Sequence, residues 1–265
     1  MPQENMRPID LLFLDLDGTL IGHTGQVRDQ IWPAIDRMRD DGIILSICTG
    51  RPYGGVAAEV ATRLGDETVP HIYTGGALTC NSRGALIHAE TVPEELVTKM
   101  VERARDERLT LELYTSDTIF VDAQTDFSTR HANLLGMTSQ ERDLIEVAAE
   151  LPIIKTQWIL SPEYAPGIFA TPLPGCHGAI GTSDVMPDVT FITVTRDGID
   201  KGSACRRVAK SLGVPLARLH AAVEAVGQFR EELLLGLDGA FGDAQGGCRG
   251  HGVGELSFGR LKGGQ

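Results

Sequence analysis

The stretch that decides the fold is LLFLDLDGTL, at residues 11–20. Its first four residues are apolar and are followed directly by Asp15, a pattern typical of a strand buried on both faces of a parallel sheet. Asp15 and Asp17 therefore fall at the carboxyl end of that strand, where α/β sheets bind their ligands. Two carboxylates so close together repel each other unless a cation is bound. Because hard divalent ions take carboxylate and phosphate oxygens, the pair predicts a Mg²⁺ site.

The segments that follow alternate between helix and strand patterns. Apolar residues recur at helical spacing over 29–39, an apolar run at 43–47 predicts a second buried strand, and a second helix is predicted to start near Pro52. This order predicts a parallel α/β sheet.

The pattern changes after about residue 80. A helix is predicted to begin after Thr91, because Thr91 and Glu94 have the spacing of a capping box. Residues 161–187 contain five prolines and are predicted to be rich in loops. The remaining predicted elements are strands at 111–114, 118–121, 153–160 and 189–194 and a helix at 201–212.

Two further groups of polar residues lie at predicted element ends. Thr49, Gly50 and Arg51 follow the second strand, where a hydroxyl and free backbone N–H groups suit a phosphoryl oxygen. Lys201 and Gly202 open the helix at 201–212. A cation at a helix start opposes the helix dipole, so Lys201 indicates an anionic partner.

Together these motifs resemble the haloacid-dehalogenase-like hydrolase superfamily, and in particular the Cof-type (subfamily IIB) sugar phosphatases. The resemblance covers about residues 8–215 and implies an α/β fold. A Rossmann-like parallel-sheet core is expected from 1–82 and 191–265, and an inserted α/β cap of the C2B type from 83–190.

The resemblance also implies a mechanism and a role for each motif residue. Asp15 would attack phosphorus to form an aspartyl-phosphate, and Asp17 would act as general acid and base. Thr49 would hold the transferring phosphoryl group, and Lys201 and Mg²⁺ would balance its charge. The residues expected to line the phosphate position are Gly18, Thr19, Gly50 and Arg51. Asp15 and Asp17 are also the expected metal ligands.

The third metal ligand is not settled by the sequence, because the family's fourth motif, G-D-x-x-N-D, is missing in its usual form. The family spacing counted from Lys201 reaches Glu224, whereas the closest local match contains Asp243, 42 residues after Lys201. Asp243 is the first choice and Glu224 the alternative. A shifted register at 227–232 loses the first acid to Gln228.

The chain is also atypical of the family from about residue 219. The last 40 residues hold 12 of the 31 glycines, which disfavours regular structure. A change of reading frame or degeneration of the gene beyond about residue 218 would explain this composition, and sequencing the 3′ end of the gene tests it.

The composition of the chain argues against several classes of binding partner. The 265 residues carry 24 Lys and Arg against 36 Asp and Glu, a net charge of −12, which argues against nucleic acid and anionic membranes. No apolar run approaches the roughly 18 residues of a membrane span. The five cysteines are widely spaced without a C-x-x-C motif, which predicts reduced thiols and a cytoplasmic location.

The sequence thus predicts a Mg²⁺-dependent phosphatase acting on a small phosphorylated metabolite, and the expected substrate is a sugar phosphate. Two alternatives stay open at this point. One is a catalytically impaired phosphate-binding or regulatory protein with an incomplete metal site, and the other is a phosphomutase that uses the same aspartyl-phosphate. The oligomeric state is not indicated.

Overall fold

The computed structural model describes residues 9–22, 27, 29–170, 173–183 and 185–222. For residues 221 and 222 it describes the backbone alone. The described residues belong to one compact unit and form twelve strands, seven α-helices and three short 3₁₀ helices. The strands are β1 (Leu11–Leu14), β2 (Ile44–Ile47), β3 (His71–Tyr73), β4 (Leu78–Cys80), β5 (Leu86–Ala89), β6 (Thr110–Tyr114), β7 (Ile119–Val121), β8 (Ser139–Glu141), β9 (Lys155–Leu160), β10 (Cys176–Ser183), β11 (Met186–Arg196) and β12 (Leu219–Ala222). The helices are α1 (Trp32–Asp40), α2 (Gly55–Leu64), α3 (Glu94–Glu107), α4 (Asp126–Leu135), α5 (Leu144–Glu150), α6 (Ala165–Phe169) and α7 (Lys201–Ser211).

The first sheet is parallel and has β1 at its centre, in the order β12-β1-β2. All four residues of β1 are buried, as expected for a central parallel strand. Leu11 and Phe13 pack with Ile72 of β3 and with Ala204 and Val208 of α7. A parallel bridge between Cys48 and Ile72 brings β3 alongside the end of β2. The carboxyl ends of β1, β2 and β3 therefore meet at one edge.

A second sheet joins β3, β4 and β5 in antiparallel fashion. A third sheet of six strands has the order β10-β11-β9-β6-β7-β8 and is antiparallel except for the β7–β8 pair. One face of this third sheet packs on α3 and α5 through an apolar cluster that includes Leu111, Leu113, Trp158 and Val147. This burial accounts for the apolar spacing along α3, whose inward residues include Val97 and Val101.

The α/β prediction is confirmed, with a parallel core sheet, but three local predictions were wrong. The helix expected after Thr91 begins at Glu94, and its N-cap is Pro93 without a side-chain cap. Val92 instead donates its backbone N–H to the Ile153 carbonyl at 2.7 Å, which keeps this segment extended. Val92 also precedes Pro93, and a proline disfavours helical backbone angles at the residue before it. The capping box therefore does not form.

The other two differences concern loops. The helix expected near Pro52 starts only at Gly55, after Gly54 with φ of 152°. The proline-rich stretch 161–187, expected to be loop-rich, contains α6 and the edge strand β10. β10 forms because it pairs with β11 over its whole length, which is a contact that composition does not reveal.

Two observations bear on the domain boundaries. The six-stranded sheet runs to Arg196, beyond the predicted cap limit at residue 190. At the C-terminal side, β12 adds a regular parallel strand after residue 218, with Leu219 opposite Leu11. No helix in the described part of the chain is long and apolar enough to cross a membrane.

Candidate active site

Asp15 lies directly after β1, and both of its carboxylate oxygens are held in place. Oδ1 accepts the backbone N–H of Leu16 at 2.8 Å, and Oδ2 accepts the Lys201 ammonium at 2.6 Å. The Asp15 carboxylate is largely buried, while the Lys201 side chain is 38% exposed. The ion pair offsets the cost of burying the carboxylate and fixes its direction at the strand end.

The start of α7 places Lys201. Asp200 is the N-cap: its Oδ1 accepts the Ser203 backbone N–H at 2.6 Å, and the Ser203 hydroxyl accepts the Asp200 N–H at 3.1 Å. Gly76, in the turn after β3, approaches this cap so closely that a Cβ there would lie 2.4 Å from the Asp200 carbonyl oxygen. The first turn of α7 is therefore locked by its own capping box and by the neighbouring strand end.

Thr49 lies at the end of β2, one residue beyond the level of Asp15. It is fully buried, its N–H donates to the Ile72 carbonyl at 3.0 Å, and its carbonyl accepts from Gly75 at 3.0 Å. The Thr49 hydroxyl oxygen accepts the backbone N–H of Arg51 at 3.1 Å, which leaves its own O–H available as a donor.

Asp17 is held by Arg51 rather than by Lys201. Arg51 donates from Nε to both Asp17 oxygens at 3.1 and 3.0 Å, and from Nη2 to Oδ1 at 2.7 Å. Its Nη1 donates to the Leu134 carbonyl, near the end of α4, at 3.2 Å. Arg51 is buried and the Asp17 side chain is 57% exposed. Arg51 therefore links the Asp17 carboxylate to α4.

The remaining predicted phosphate-binding residues differ in how strongly backbone conformation and packing constrain them. Gly18 has φ of 75°, a left-handed conformation that favours glycine, and its N–H donates to Ile21 in a tight turn. The Thr19 hydroxyl is buried and has no hydrogen-bond partner among the described residues. At Gly50 a Cβ would meet nothing within 4 Å, so packing alone does not require glycine there.

Thr74 is a site residue that the sequence motifs did not single out. It follows β3, has φ of 48° and donates its N–H to the Arg51 carbonyl at 2.8 Å. Its hydroxyl is buried and finds no hydrogen-bond partner in the part of the chain that the structure describes. A non-glycine residue in the left-handed region is uncommon and marks a local constraint. No sequence signal identifies it, since a lone threonine after a strand is ordinary.

The thiols beside the site are poor competitors of Asp15 as a nucleophile. Cys48 precedes Thr49, and its Sγ lies 3.7 Å from the Sγ of Cys205 on α7. The hydrogen bond with Cys205 and burial hold the pKa of the Cys48 thiol well above its usual value. A thiol that stays protonated is a weak nucleophile.

The described residues include no cluster of three or more His, Cys, Asp or Glu side chains placed to hold a metal ion. Asp15 and Asp17 are the acidic residues at the strand end, while the predicted third ligands, Asp243 and Glu224, lie outside the described residues. Because an ionised carboxylate has about four lone-pair sites, Asp15 keeps acceptor capacity beyond its two hydrogen bonds.

The fold is of the α/β class, and the carboxyl ends of its parallel strands carry two carboxylates, a threonine hydroxyl and the paired Lys201 and Arg51 side chains. A family model described as haloacid dehalogenase-like hydrolase matches residues 12–222, and the chain belongs to this family. Members of the superfamily that act as phosphatases generally use a divalent metal. The protein is a phosphoric monoester hydrolase of this family, with small-molecule phosphate esters as the substrate class.

Individual relatives agree with this assignment. YxeH of Bacillus subtilis, named as a candidate phosphatase, is 24% identical over 225 residues, covering 79% of this chain and 78% of that protein. The 5-amino-6-(5-phospho-D-ribitylamino)uracil phosphatase YwtE of the same organism is 29% identical over 104 residues, covering 39% of this chain and 35% of that protein.

Solved structures show the same fold. The subclass IIB sugar phosphatase BT4131 matches with a TM-score of 0.66 and 19% identity, covering 80% of this chain and 79% of that one. BT1666 from Bacteroides thetaiotaomicron matches with a TM-score of 0.65 and 20% identity, covering 83% of this chain and 79% of that one.

Proposed function

We propose that the protein is a Mg²⁺-dependent phosphatase that hydrolyses a sugar phosphate through an aspartyl-phosphate on Asp15. The observation that carries this proposal is the 2.6 Å contact between Asp15 Oδ2 and Lys201 Nζ at the carboxyl end of β1. A buried carboxylate with a fixed direction and a paired cation is suited to in-line attack on phosphorus.

In the first step an Asp15 oxygen forms a bond to phosphorus, and the bond from phosphorus to the ester oxygen breaks. Asp17 gives a proton to the departing alkoxide, so the product leaves as an alcohol. Asp17 then takes a proton from water. The water oxygen forms a bond to the same phosphorus while the bond from phosphorus to the Asp15 oxygen breaks, which releases inorganic phosphate. The aspartate at position 15 returns as a carboxylate.

The surrounding groups orient the reactants. Lys201 donates to Asp15 in the resting site and balances the charge of the transferring phosphoryl group. Arg51 holds the Asp17 carboxylate in one orientation through three contacts. The Thr49 hydroxyl is a donor for a phosphoryl oxygen, and the tight turn at Gly18, with φ of 75°, lies at the end of the neighbouring strand β1.

The oxygen donors of Asp15 and Asp17 fit Mg²⁺, a hard cation that prefers carboxylate ligands. These two residues would hold it together with Asp243 or, as the alternative, Glu224. When bound, Mg²⁺ supplies positive charge that offsets the negative charge on the phosphoryl oxygens.

We also propose that residues 83–190 form a cap over a core built from 1–82 and 191–265. The six-stranded sheet supports this division, because among the described residues its strands pair only with one another and lie between Thr110 and Arg196, although β11 runs six residues past the proposed limit at 190. A cytoplasmic location is proposed on the basis of the thiols: the cysteines of the described part, Cys48, Cys80, Cys176 and Cys205, are all free.

The test is Mg²⁺-dependent release of phosphate from an aryl phosphate by the parent and by Asp15→Asn. We expect the variant to lose at least about 10³-fold in kcat, because an amide cannot attack phosphorus. Asp40→Asn, an exposed acid at the end of α1, is the matched control and should retain parental activity. Metal-independent turnover, or turnover that survives in Asp15→Asn, would contradict the mechanism.

A further inference from the structure

The C-terminal end of α4 and the residues after it, 134–137, lie against the candidate active site and are called the α4 end below. Gly136 ends the helix in the left-handed conformation, with φ of 68°. The last carbonyls of a helix have no donor within the helix, so they need partners from elsewhere. One of them, the Leu134 carbonyl, accepts from Nη1 of Arg51 at 3.2 Å. A cation is also favoured there by the helix dipole, so Arg51 stabilises the α4 end.

The α4 end also packs closely on the start of α2. A Cβ on Gly55 would lie 2.1 Å from the carbonyl oxygen of Leu135 and 2.9 Å from that of Gly136. A Cβ on Gly54 would lie 2.8 Å from Sδ of Met137. The negative end of the α4 dipole thus faces the positive end of the α2 dipole, which favours the contact. Backbone packs on backbone at Gly55, and a side chain there would displace the α4 end.

The direction of the Asp17 carboxylate depends on Arg51. The Asp17 side chain is 57% exposed, and Arg51 alone among the described residues donates hydrogen bonds to its carboxylate. Arg51 presents Nε and Nη2 to Asp17 and Nη1 to the Leu134 carbonyl. Because a guanidinium is planar, contacts on both sides fix its plane and, with it, the direction of the carboxylate that it holds. The α4 end therefore acts on Asp17 through Arg51.

We propose that the α4 end is a positioning element for proton transfer by Asp17, and that its contacts with Arg51 and Gly55 govern protonation of the leaving oxygen. This inference rests on the proposed phosphatase function. Proton transfer requires the acid to lie within hydrogen-bond reach of the leaving oxygen, whereas bond formation from Asp15 to phosphorus does not involve Asp17. An alkoxide is strongly basic and needs the proton, while a nitrophenolate leaves readily without it. Displacing the α4 end therefore slows hydrolysis of alkyl phosphates more than that of nitrophenyl phosphate.

The test is a leaving-group series in the parent and in Gly55→Ala. It measures kcat/KM for phenyl phosphates of graded phenol acidity and for the best alkyl phosphate of a sugar phosphate panel. Since kcat/KM covers the steps up to departure of the leaving group, the later use of Asp17 as a base does not enter. We expect the alkyl-to-nitrophenyl ratio of kcat/KM to fall at least about tenfold in Gly55→Ala, because the added Cβ displaces the Leu135 carbonyl and Arg51 loses its fixed orientation. The dependence of kcat/KM on leaving-group basicity should steepen accordingly.

Gly65→Ala is the matched control. Gly65 follows the last residue of α2, whereas Gly55 is the first, and it also has a positive φ, 82°. A Cβ on Gly65 would have no atom closer than 3.8 Å. This variant therefore adds backbone strain at the other end of the same helix without touching α4, and it should keep the parental ratio.

Two further variants test the same path. Arg51→Lys keeps a positive charge but lacks the planar fork that contacts Asp17 and Leu134 together, so its ratio should fall as in Gly55→Ala. Gly54→Ala replaces Gly55→Ala if the latter does not fold. Its Cβ would meet only the flexible side chain of Met137, so a smaller fall in the same direction is expected.

The outcomes separate the two proposals. A folded Gly55→Ala enzyme that keeps the parental ratio, or that loses the same factor on every substrate, overturns the role of the α4 end and leaves the phosphatase intact. A fall in Arg51→Lys without one in the glycine variants overturns it as well, since Arg51 would then orient Asp17 unaided. A parent without Mg²⁺-dependent turnover of any phosphate ester overturns the proposed function, and this inference falls with it.

Discussion

At the scale of single residues, the chemistry of the site depends on which ionisable groups are paired. Asp15 and Lys201 form one pair and Asp17 and Arg51 the other, so each carboxylate has its own cation. The two pairs differ in exposure, with Asp15 buried and Asp17 largely exposed. This division matches a nucleophile that must be held still and an acid and base that must exchange protons with water.

His71 supplies a prediction at this scale. Burial lowers its pKa to about 4, an effect that Asp66 partly opposes, and its Nδ1 accepts the Ile47 N–H at 3.3 Å. The folded state therefore binds fewer protons than the unfolded state between about pH 4 and 6.5, so stability is lost as the pH falls through this window. We expect the cost to approach about 3 kcal/mol near pH 4.

Denaturant unfolding of the parent and of His71→Gln across pH 4 to 7 measures this effect. The glutamine keeps an acceptor for Ile47 but does not titrate, so its free energy of unfolding should depend less steeply on pH. Parallel curves for the two proteins would show that His71 does not carry the pH dependence.

At the scale of elements, the position of Lys201 depends on the contact between the turn after β3 and the cap of α7. Gly76→Ala would place a Cβ 2.4 Å from the Asp200 carbonyl oxygen at a φ of 111°. We expect it to cost about 3 kcal/mol or more in stability and to lower kcat by displacing Lys201. Thermal unfolding and aryl phosphate turnover measure the two effects.

Gly75→Ala is the matched control for this prediction. Gly75 also has a positive φ, 67°, but a Cβ there would meet nothing within 4 Å. Only the backbone strain of about 1 kcal/mol should appear, with kcat retained. Equal losses in both variants would mean that strain rather than contact with Asp200 sets the cost.

Whether an element could be predicted from the sequence depends on whether local patterns or distant contacts form it. β1, β2 and α7 have strong local patterns, which is why Asp15 and Lys201 could be placed at their ends without a structure. β10 and the six-stranded sheet as a whole depend on strand pairing, much of it between distant residues, for which a single sequence carries little signal. Thr91 shows the converse, since a good local capping pattern was overridden by the hydrogen bond from Val92 to Ile153.

At the scale of the whole molecule, the proposed Mg²⁺ site takes its third ligand from the C-terminal part of the sequence, with Asp243 as the first choice and Glu224 as the alternative. We expect Asp243→Asn to raise the Mg²⁺ concentration for half-maximal activity at least about tenfold, because a ligand carboxylate is lost. Glu224→Gln should leave it unchanged. The reverse result would assign the ligand to Glu224, and no change in either variant would exclude both.

The ion pair between Asp15 and Lys201 joins residues 186 positions apart in the chain. β1 likewise finds its partner β12 only after almost all of the described residues have been made. On the ribosome, the nucleophile emerges early and its cation only 186 residues later. The ion pair therefore cannot form during the synthesis of the intervening chain, and we expect it to report long-range folding rather than the mere presence of Asp15.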